Sequence, residues 1–527
     1  MNDLNHPEPD LTRRVNFSII SPVFNPEWKA FNACVRSVRN QTYPHWQWIL
    51  VDDRSTRKWI WPFLRVLSLI DRRIVVRRRE TNGGISAATN DALHLVTGEF
   101  TVLLDNDDEL DLEALGVVNH EIVHHPNVEY LYSDEDKITV DGRYDGLFKK
   151  PDWSPERLLC QNYCCHLSVV KTDLLQQLGG FRSEFDGAQD HDMLLRLAEL
   201  NPSVIHIRRV LYHWRMSATS TALDLSSKPT AVLAGRRAIE DAMARRQISG
   251  ELVEAGTMYH RVKRSPTASP KVSLIIPTCG TVGVVWGEEV AFLENLVESI
   301  TALSSYPDYE IVVVYDSGTD PLLLRRISSA HSQVALVEYS KEFNFSEKCN
   351  IGAIEAKGEI LVFLNDDMEV ISPDWIETFC GMLEDHSVGA VGPMLLFDNY
   401  LVQSAGHVST PGHFARGLSP VSPAAGGWPL VLNREVSGLT GACLAVRRLV
   451  YLQVGGFSEV FPLNYNDVDI GYKIQSEGLR LLWTPDIALF HFESKSRVTA
   501  VSEEETFLLN RLWGRFISNS AGDPYLG

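Results

Sequence analysis

Cysteine is scarce in this chain: eight among 527 residues, with no C-x-x-C pair. That excludes a disulfide-stapled scaffold, and the eight read as reduced thiols of a cytoplasmic protein. Long hydrophobic runs are missing too. No stretch reaches the ~18 apolar residues of a membrane span, and the polar start MNDLNHPEPD does not read as a signal peptide. Positive charge is in deficit, with 49 Lys and Arg against 68 Asp and Glu and a formal net charge of −19. This balance argues against a nucleic-acid partner and against a broad grip on anionic lipid. The local exception, DRRIVVRRR (71–79), alternates through Ile74, Val75 and Val76 and reads as an exposed strand end.

What is present is an ordinary globular composition on a chain too long for one core, so two to four domains are expected. The sequence repeats itself. FSIISP (17–22) returns as VSLIIP (272–277), ILVDD (49–53) as VVVYD (312–316), and ATNDAL (88–93) as KCNIGA (348–353), aligned on Asn90 and Asn350. LLDNDDEL (103–110) returns as FLNDDMEV (363–370), GGF (179–181) at 455–457, and QDHD (189–192) as NDVD (466–469). The offset drifts only as loops lengthen, so the chain is a tandem duplication of about 250 residues.

Within each copy short apolar strands alternate with amphipathic helices. EWKAFNACVRSVRNQ places Trp28, Phe31, Val35 and Val38 on one helical face, and ISAATNDALHLV follows the Gly83–Gly84 break as a second helix. Alternating β and α elements imply a parallel sheet with helices on both faces, whose ligands bind beyond the carboxyl ends of the strands. Asp52, Asp53 and Asp105 all stand at such ends. The expected boundaries are a first domain over 12–225, a helical linker over 226–269, a second domain over 270–500, and a terminal helix and tail over 501–527. That last helix should pack back through Phe507, Leu508, Leu512 and Trp513.

LLDNDDEL gathers four carboxylates, Asp105, Asp107, Asp108 and Glu109, where an apolar strand ends. Like charges raise each other's cost of ionising, so such a cluster serves a cation, a helix start or a wet loop. Asp105-x-Asp107 offers hard oxygen ligands, which suit Mg²⁺ or Mn²⁺ held together with substrate phosphates. Further on, Asp190 and Asp467 stand at helix starts, and His213 and His491 follow them by 23 and 24 residues. A lone histidine is ordinarily structural, but recurrence at matched spacing in both copies points to a function.

These residues resemble the family 2 glycosyltransferases of the GT-A fold, and most of all tandem bacterial enzymes that build surface polysaccharides such as O-antigen or capsule. The resemblance covers nearly the whole chain. It rests on SPVFN, VDDRS, DNDDE, YSDEDK, KPDWSPE, GGFR…DGAQDHD and YHWR in the first copy, and on FNFSEKCN, LNDDMEV, SGLTGACLAVRR, GGFSE…NDVD and HFESKSR in the second. It implies two tandem GT-A, Rossmann-like α/β domains with a mostly parallel sheet, and inverting sugar transfer from a UDP-, dTDP- or GDP-sugar to a hydroxyl of an oligosaccharide or lipid-linked glycan. It also implies an Mn²⁺ or Mg²⁺ ion on Asp105, Asp107 and His213, and on Asp367 and His491 in the second copy. Asp190 and Asp467 become the bases that take the acceptor's proton, although a helix-start aspartate also serves as a cap. On the nucleotide-sugar side fall Pro22, Asp52, Asp53, Asn90 and Arg215, and in the second copy Pro277, Asp316, Asn350, Asn365, Lys495 and Arg497. A cytoplasmic enzyme meeting a lipid-linked acceptor would work at the inner membrane face, with membrane-associated assembly partners.

Softer readings surround this core. The YSDEDK acids Asp134, Glu135 and Asp136 read as a solvated turn, and Trp153 and Trp428 as packing rather than sugar stacking. The second copy departs where Asn365 replaces Asp105, Tyr315 replaces Asp52 and Phe343–Asn344 replaces Gly83–Gly84. These changes leave open that one copy catalyses while the other binds sugar or scaffolds. A nucleotidyltransferase is the remaining rival, but neither SPVFNPEW nor PTCGTVGV supplies its Gly-rich basic loop.

Overall fold

The structure, a computed structural model, describes residues 12–216, 229–256, 259–410, 413–417, 421–423, 427–492, 502–514, 516 and 524–525. The chain divides into two compact units, Met1–Gln247 and Ile248–Leu526.

In the first unit the strands are β1 (Phe17–Val23), β2 (Trp46–Asp52), β3 (Ile74–Arg78), β4 (Phe100–Leu103), β5 (Glu109–Leu110), β6 (Tyr130–Ile138), β7 (Tyr144–Phe148), β8 (Ser168–Lys171) and β9 (Val204–Arg215). Their order is β3-β2-β1-β4-β8-β6-β9-β5, with β7 paired to β6. The first four run parallel, and β8 enters antiparallel to both β4 and β6. Apolar runs such as FSIIS and WQWILV are buried on both faces, as a sheet covered on two sides requires. The first helix, Trp28–Arg39, buries Phe31, Val35 and Val38, while Trp28 stays half-exposed against Trp59 and Phe63. Each fully buried large apolar side chain contributes roughly 1.5–3 kcal/mol.

The second unit opens on the hairpin β10 (Gly250–Gly256) and β11 (Tyr259–Arg264). It continues with β12 (Val272–Thr278), β13 (Val282–Val285), β14 (Glu288–Ala291), β15 (Tyr309–Asp316), β16 (Val334–Tyr339), β17 (Ile360–Leu364), β18 (Met368–Val370) and β19 (Val388–Leu396). After these come β20 (Val402–Ser404), β21 (His407–Thr410), β22 (His413–Gly417), β23 (Arg434–Glu435), β24 (Cys443–Arg447) and β25 (Arg480–His491). Its sheet order, β16-β15-β12-β17-β24-β19-β25-β18, repeats the first strand for strand. The duplication in the sequence is a duplication of fold.

The stretch between the copies divides between the units. Helix Pro229–Arg245 belongs to the first, where Asp241 binds Arg182 and Arg245 binds Glu199 at 2.7 Å. The hairpin β10–β11 belongs to the second, tied by Arg261 to Asp486 at 2.6 Å. The terminal helix, Glu503–Trp513, packs with Leu508, Leu509 and Trp513. Phe507 and Leu512 are exposed, contrary to expectation, because the helix turns its Glu505–Leu509–Trp513 stripe inward.

Candidate active site

In both units the first strand ends beside the acidic loop. Asn106 donates to the Pro22 carbonyl at 2.8 Å, and at the matching place Thr278, next to Pro277, donates to Asp366 at 2.6 Å. Burial lifts the Asp366 carboxyl to about 6. The nucleoside-side acids are clamped by cations from different elements. Asp52 is buried against Arg78 at 3.0 Å, and Asp53 accepts from Arg79 and from the backbone N–H groups of Gly83 and Gly84. The basic run 71–79 thus spends two arginines on its own unit's acids. In the second unit Asp316 pairs with the buried Lys348 at 2.8 Å. Gly84, at φ +89°, opens a helix whose Ser86 N–H donates to Asp186, and a Cβ there would collide with that carboxylate. Asn344 caps the matching helix through Glu347 N–H.

Asn90 and Asn350 hold turns. Asn90 donates to the Phe181 carbonyl and accepts from the Phe181 N–H, at 2.7 and 2.8 Å, and Asn350 repeats both bonds with Phe457. The GGF turns so fixed deliver the helix starts of QDHD and NDVD. There the second acid of each motif is structural: Asp192 binds Arg182 and Arg196, and Asp469 binds Ser458, Lys473 and Trp513. The first acid of each stands in the opening turn of its helix. Asp190 accepts from Asn162 at 2.8 Å and lies near enough to Asp105 to help raise it, while Asp467 accepts from Gly441 N–H at 3.1 Å.

At the acidic loop of the first unit the converging group is Asp105, Asp108 and His166, whose ligand atoms lie within 4.8 Å of one another among the described residues. Burial raises Asp105 to about 6 and Asp108 above its usual range. Asp108 accepts from the Tyr212 hydroxyl at 2.6 Å and from Arg215 N–H at 2.7 Å. Arg215 also binds Glu109 and the Asp107 carbonyl. His166 turns Nδ1 to Glu135 at 3.4 Å and Nε2 to Asp105 at 3.9 Å. Burial would lower the imidazole, yet Glu135 and the aspartates carry it to about 9. Burial would likewise raise Glu135, but the enclosed Lys150, 3.0 Å away, and His166 hold it at about 2. The YSDEDK acids are therefore strand residues: Asp134 and Glu135 are buried and Asp136 binds His213. A solvated turn was the wrong expectation, because their partners Lys150, His166, His206 and His213 lie far along the chain.

His213 is not part of the converging group. Along a strand successive side chains face opposite ways. Tyr212 stacks on His166, whereas its neighbour His213 meets Asp136 at 2.6 Å and the Tyr144 ring. Sheet register explains the difference from His491. Leu110 pairs with Tyr212 and Glu109 with His213, but Val370 pairs with Leu489, Glu369 with Phe490 and Met368 with His491. Pairing of Glu135 with Tyr212 and of Leu395 with Leu489 gives the same correspondence. His213 therefore matches Phe490, and His491 matches Trp214. The spacings of 23 and 24 differ by the one residue that reverses a strand's face. In the second unit His491 brings Nε2 to Asp367 at 3.2 Å and to the Asn365 amide at 3.4 Å, with Nδ1 on Gln403 at 2.6 Å.

Either donor set fits a hard divalent cation: carboxylate oxygens beside an imidazole whose second nitrogen is held by a polar partner. Trp153 packs on Tyr130 and Tyr132. Lys495, Arg497 and the Trp428 side chain lie outside the described residues. Sequence reasoning missed His166 and the burial of Glu135 against Lys150; the repeat conceals His166, since Ala442 holds its place.

Strand order and acidic loops at strand ends define a class, tandem GT-A, Rossmann-like α/β domains. The chain belongs to glycosyl transferase family 2, whose sequence pattern matches residues 18–178 and again 273–426. It is 34% identical over 524 residues to the O-antigen biosynthesis protein RfbC of Myxococcus xanthus, covering 98% of this chain and 40% of that protein. It is 36% identical over 507 residues to the uncharacterized protein y4gI of Sinorhizobium fredii, covering 93% and 54%. The chain thus spans about half, or less, of the length of these relatives. TarS of S. aureus in complex with UDP aligns at 22% identity with a TM-score of 0.34, over 43% of this chain and 65% of that one.

Proposed function

We propose that this family 2 glycosyltransferase carries two inverting active sites, which add different sugars from nucleoside diphosphate donors to one growing surface polysaccharide. The observation that carries this reading is the repeated placement of a carboxylate, Asp190 or Asp467, in the first turn of a helix in both units. The acceptor oxygen attacks the anomeric carbon as the bond to the diphosphate breaks, and the carboxylate takes the hydroxyl proton. The Asn162 amide fixes Asp190, and the Gly441 N–H fixes Asp467. Asp52, Asp53 and Asp316, already clamped by cations, shape the nucleoside end of each pocket. A divalent ion, Mn²⁺ or Mg²⁺, on the acidic loops supplies charge neutralisation for the departing diphosphate.

Divergence at Asp52/Tyr315 and Gly83/Phe343 supports two donors rather than one. The O-antigen name of RfbC supports a surface glycan as product, with a lipid-linked acceptor met at the inner membrane face through assembly partners. Asn365 in place of Asp105 favours a second reading, in which the second unit binds glycan without catalysing. Asp190→Asn and Asp467→Asn should each stall synthesis at a different sugar, and mixing the two proteins should restore chain growth. Wild-type products and rates from Asp467→Asn would leave the second unit a binding module.

A further inference from the structure

Resting on the reading of both acidic loops as cation sites, we infer that the units hold their ions with histidines from different places in the fold, one just before β8 and one at the end of β25, and with unequal strength. The first unit binds the bare cation through Asp105 and His166. The second, with Asp367 and His491, binds it only together with the diphosphate of a nucleotide.

The sheet registers carry the first half. Leu103 pairs with Ser168, and Phe363 with Leu444, so His166, two residues before Ser168, corresponds to Ala442. His491 corresponds to Trp214. Each histidine has its Nδ1 against a polar side chain and its Nε2 against the acidic loop, the orientation that leaves one nitrogen for an ion. The same role is thus filled from the approach to β8 in one unit and from the end of β25 in the other.

Charge carries the second half. Around the first loop stand Asp105, Asp107, Asp108 and Glu135. Their counterparts are Asn365, Asp367, Met368 and Leu395, while Tyr212 and His166 correspond to Leu489 and Ala442. Met368, Leu395, Ala442 and Leu489 belong to one apolar core cluster. Three carboxylates have gone, and a polar floor has become a hydrophobic one. Asp366 cannot make up the difference, since its carboxylate is turned to Thr278, from whose hydroxyl it accepts at 2.6 Å. A hard cation gripped by one carboxylate, one amide and one imidazole lacks anionic oxygen, and a nucleoside diphosphate provides it.

Titration of MnCl₂ into the metal-stripped full chain, with free Mn²⁺ read by electron paramagnetic resonance, tests this. One equivalent should bind without nucleotide, and a second should appear with at least one of UDP, dTDP or GDP. His166→Gln should weaken the first equivalent at least about tenfold. His491→Gln should spare it and remove the second. Thermal melts verify folding, and His166→Asn replaces the glutamine variant if that one does not fold. The inference is overturned by two equal equivalents without nucleotide, by a second that no nucleotide elicits, or by loss of the first in His213→Ala but not in His166→Gln. Wild-type protein that binds no Mn²⁺ with or without nucleotide overturns the cation reading itself, an outcome distinct from all of these.

Discussion

Lys150 is enclosed, its ammonium bonded to Glu135 at 3.0 Å, to the Cys164 carbonyl at 2.6 Å and to the His166 carbonyl. Removing one partner of a buried pair strands the other charge, which costs about 3–5 kcal/mol. Lys150→Met should therefore destabilise the first unit by that amount in urea unfolding, and a change below about 1 kcal/mol would show the pair to be dispensable. At the site, Asp190→Asn should abolish transfer by the first unit while donor affinity, measured by calorimetry, stays within a factor of two or so, since binding does not need the acceptor's proton. Lost affinity at an unchanged rate per bound donor would assign Asp190 to the nucleotide instead. The acids were legible as residues, since a run of aspartates at a strand end is visible in a string. Their partners were not: YSDEDK looks solvated until folding brings Lys150 and His166 against it.

At the scale of elements, the terminal helix separates two leucines that the sequence treats alike. Leu509 is fully buried and Leu512 is exposed. Leu509→Ala should cost the second unit about 2–5 kcal/mol and Leu512→Ala within about 0.5 kcal/mol, by chemical denaturation. A reversed order would put the helix in the other rotation. The turn before β19 gives a pH prediction. Burial would raise Asp385, but Arg480 at 2.9 Å and the Ser387 hydroxyl hold it at about 2. Its folded value lies below its unfolded one of about 4. This stability is thus fully present above pH ~4 and is lost as pH falls toward 2. Acid titration of Asp385→Asn, followed by second-unit fluorescence, should show a shallower decline than wild type over that window. A strand's period of two also explains why His213 lies outside the converging group: one residue of spacing decides the face, and the string does not display the register that fixes it.

At the scale of the whole molecule, each unit has its own sheet and its own core clusters. Fragments 1–247 and 248–527 should each fold alone, giving separate cooperative melts, and failure of either to fold would show that the cut passes through a shared core. The sequence by itself determined the duplication, the α/β class, the acidic loops and the helix-start aspartates Asp190 and Asp467. These are local: hydrophobic period, strand ends and spacing survive in a linear string. Tertiary structure alone decided which histidine meets which acid, that Arg78 and Arg79 close on Asp52 and Asp53, and that one site floor is polar and the other apolar. Those facts depend on strand register and on contacts between residues far apart in the chain, and both exist only once the sheets have formed.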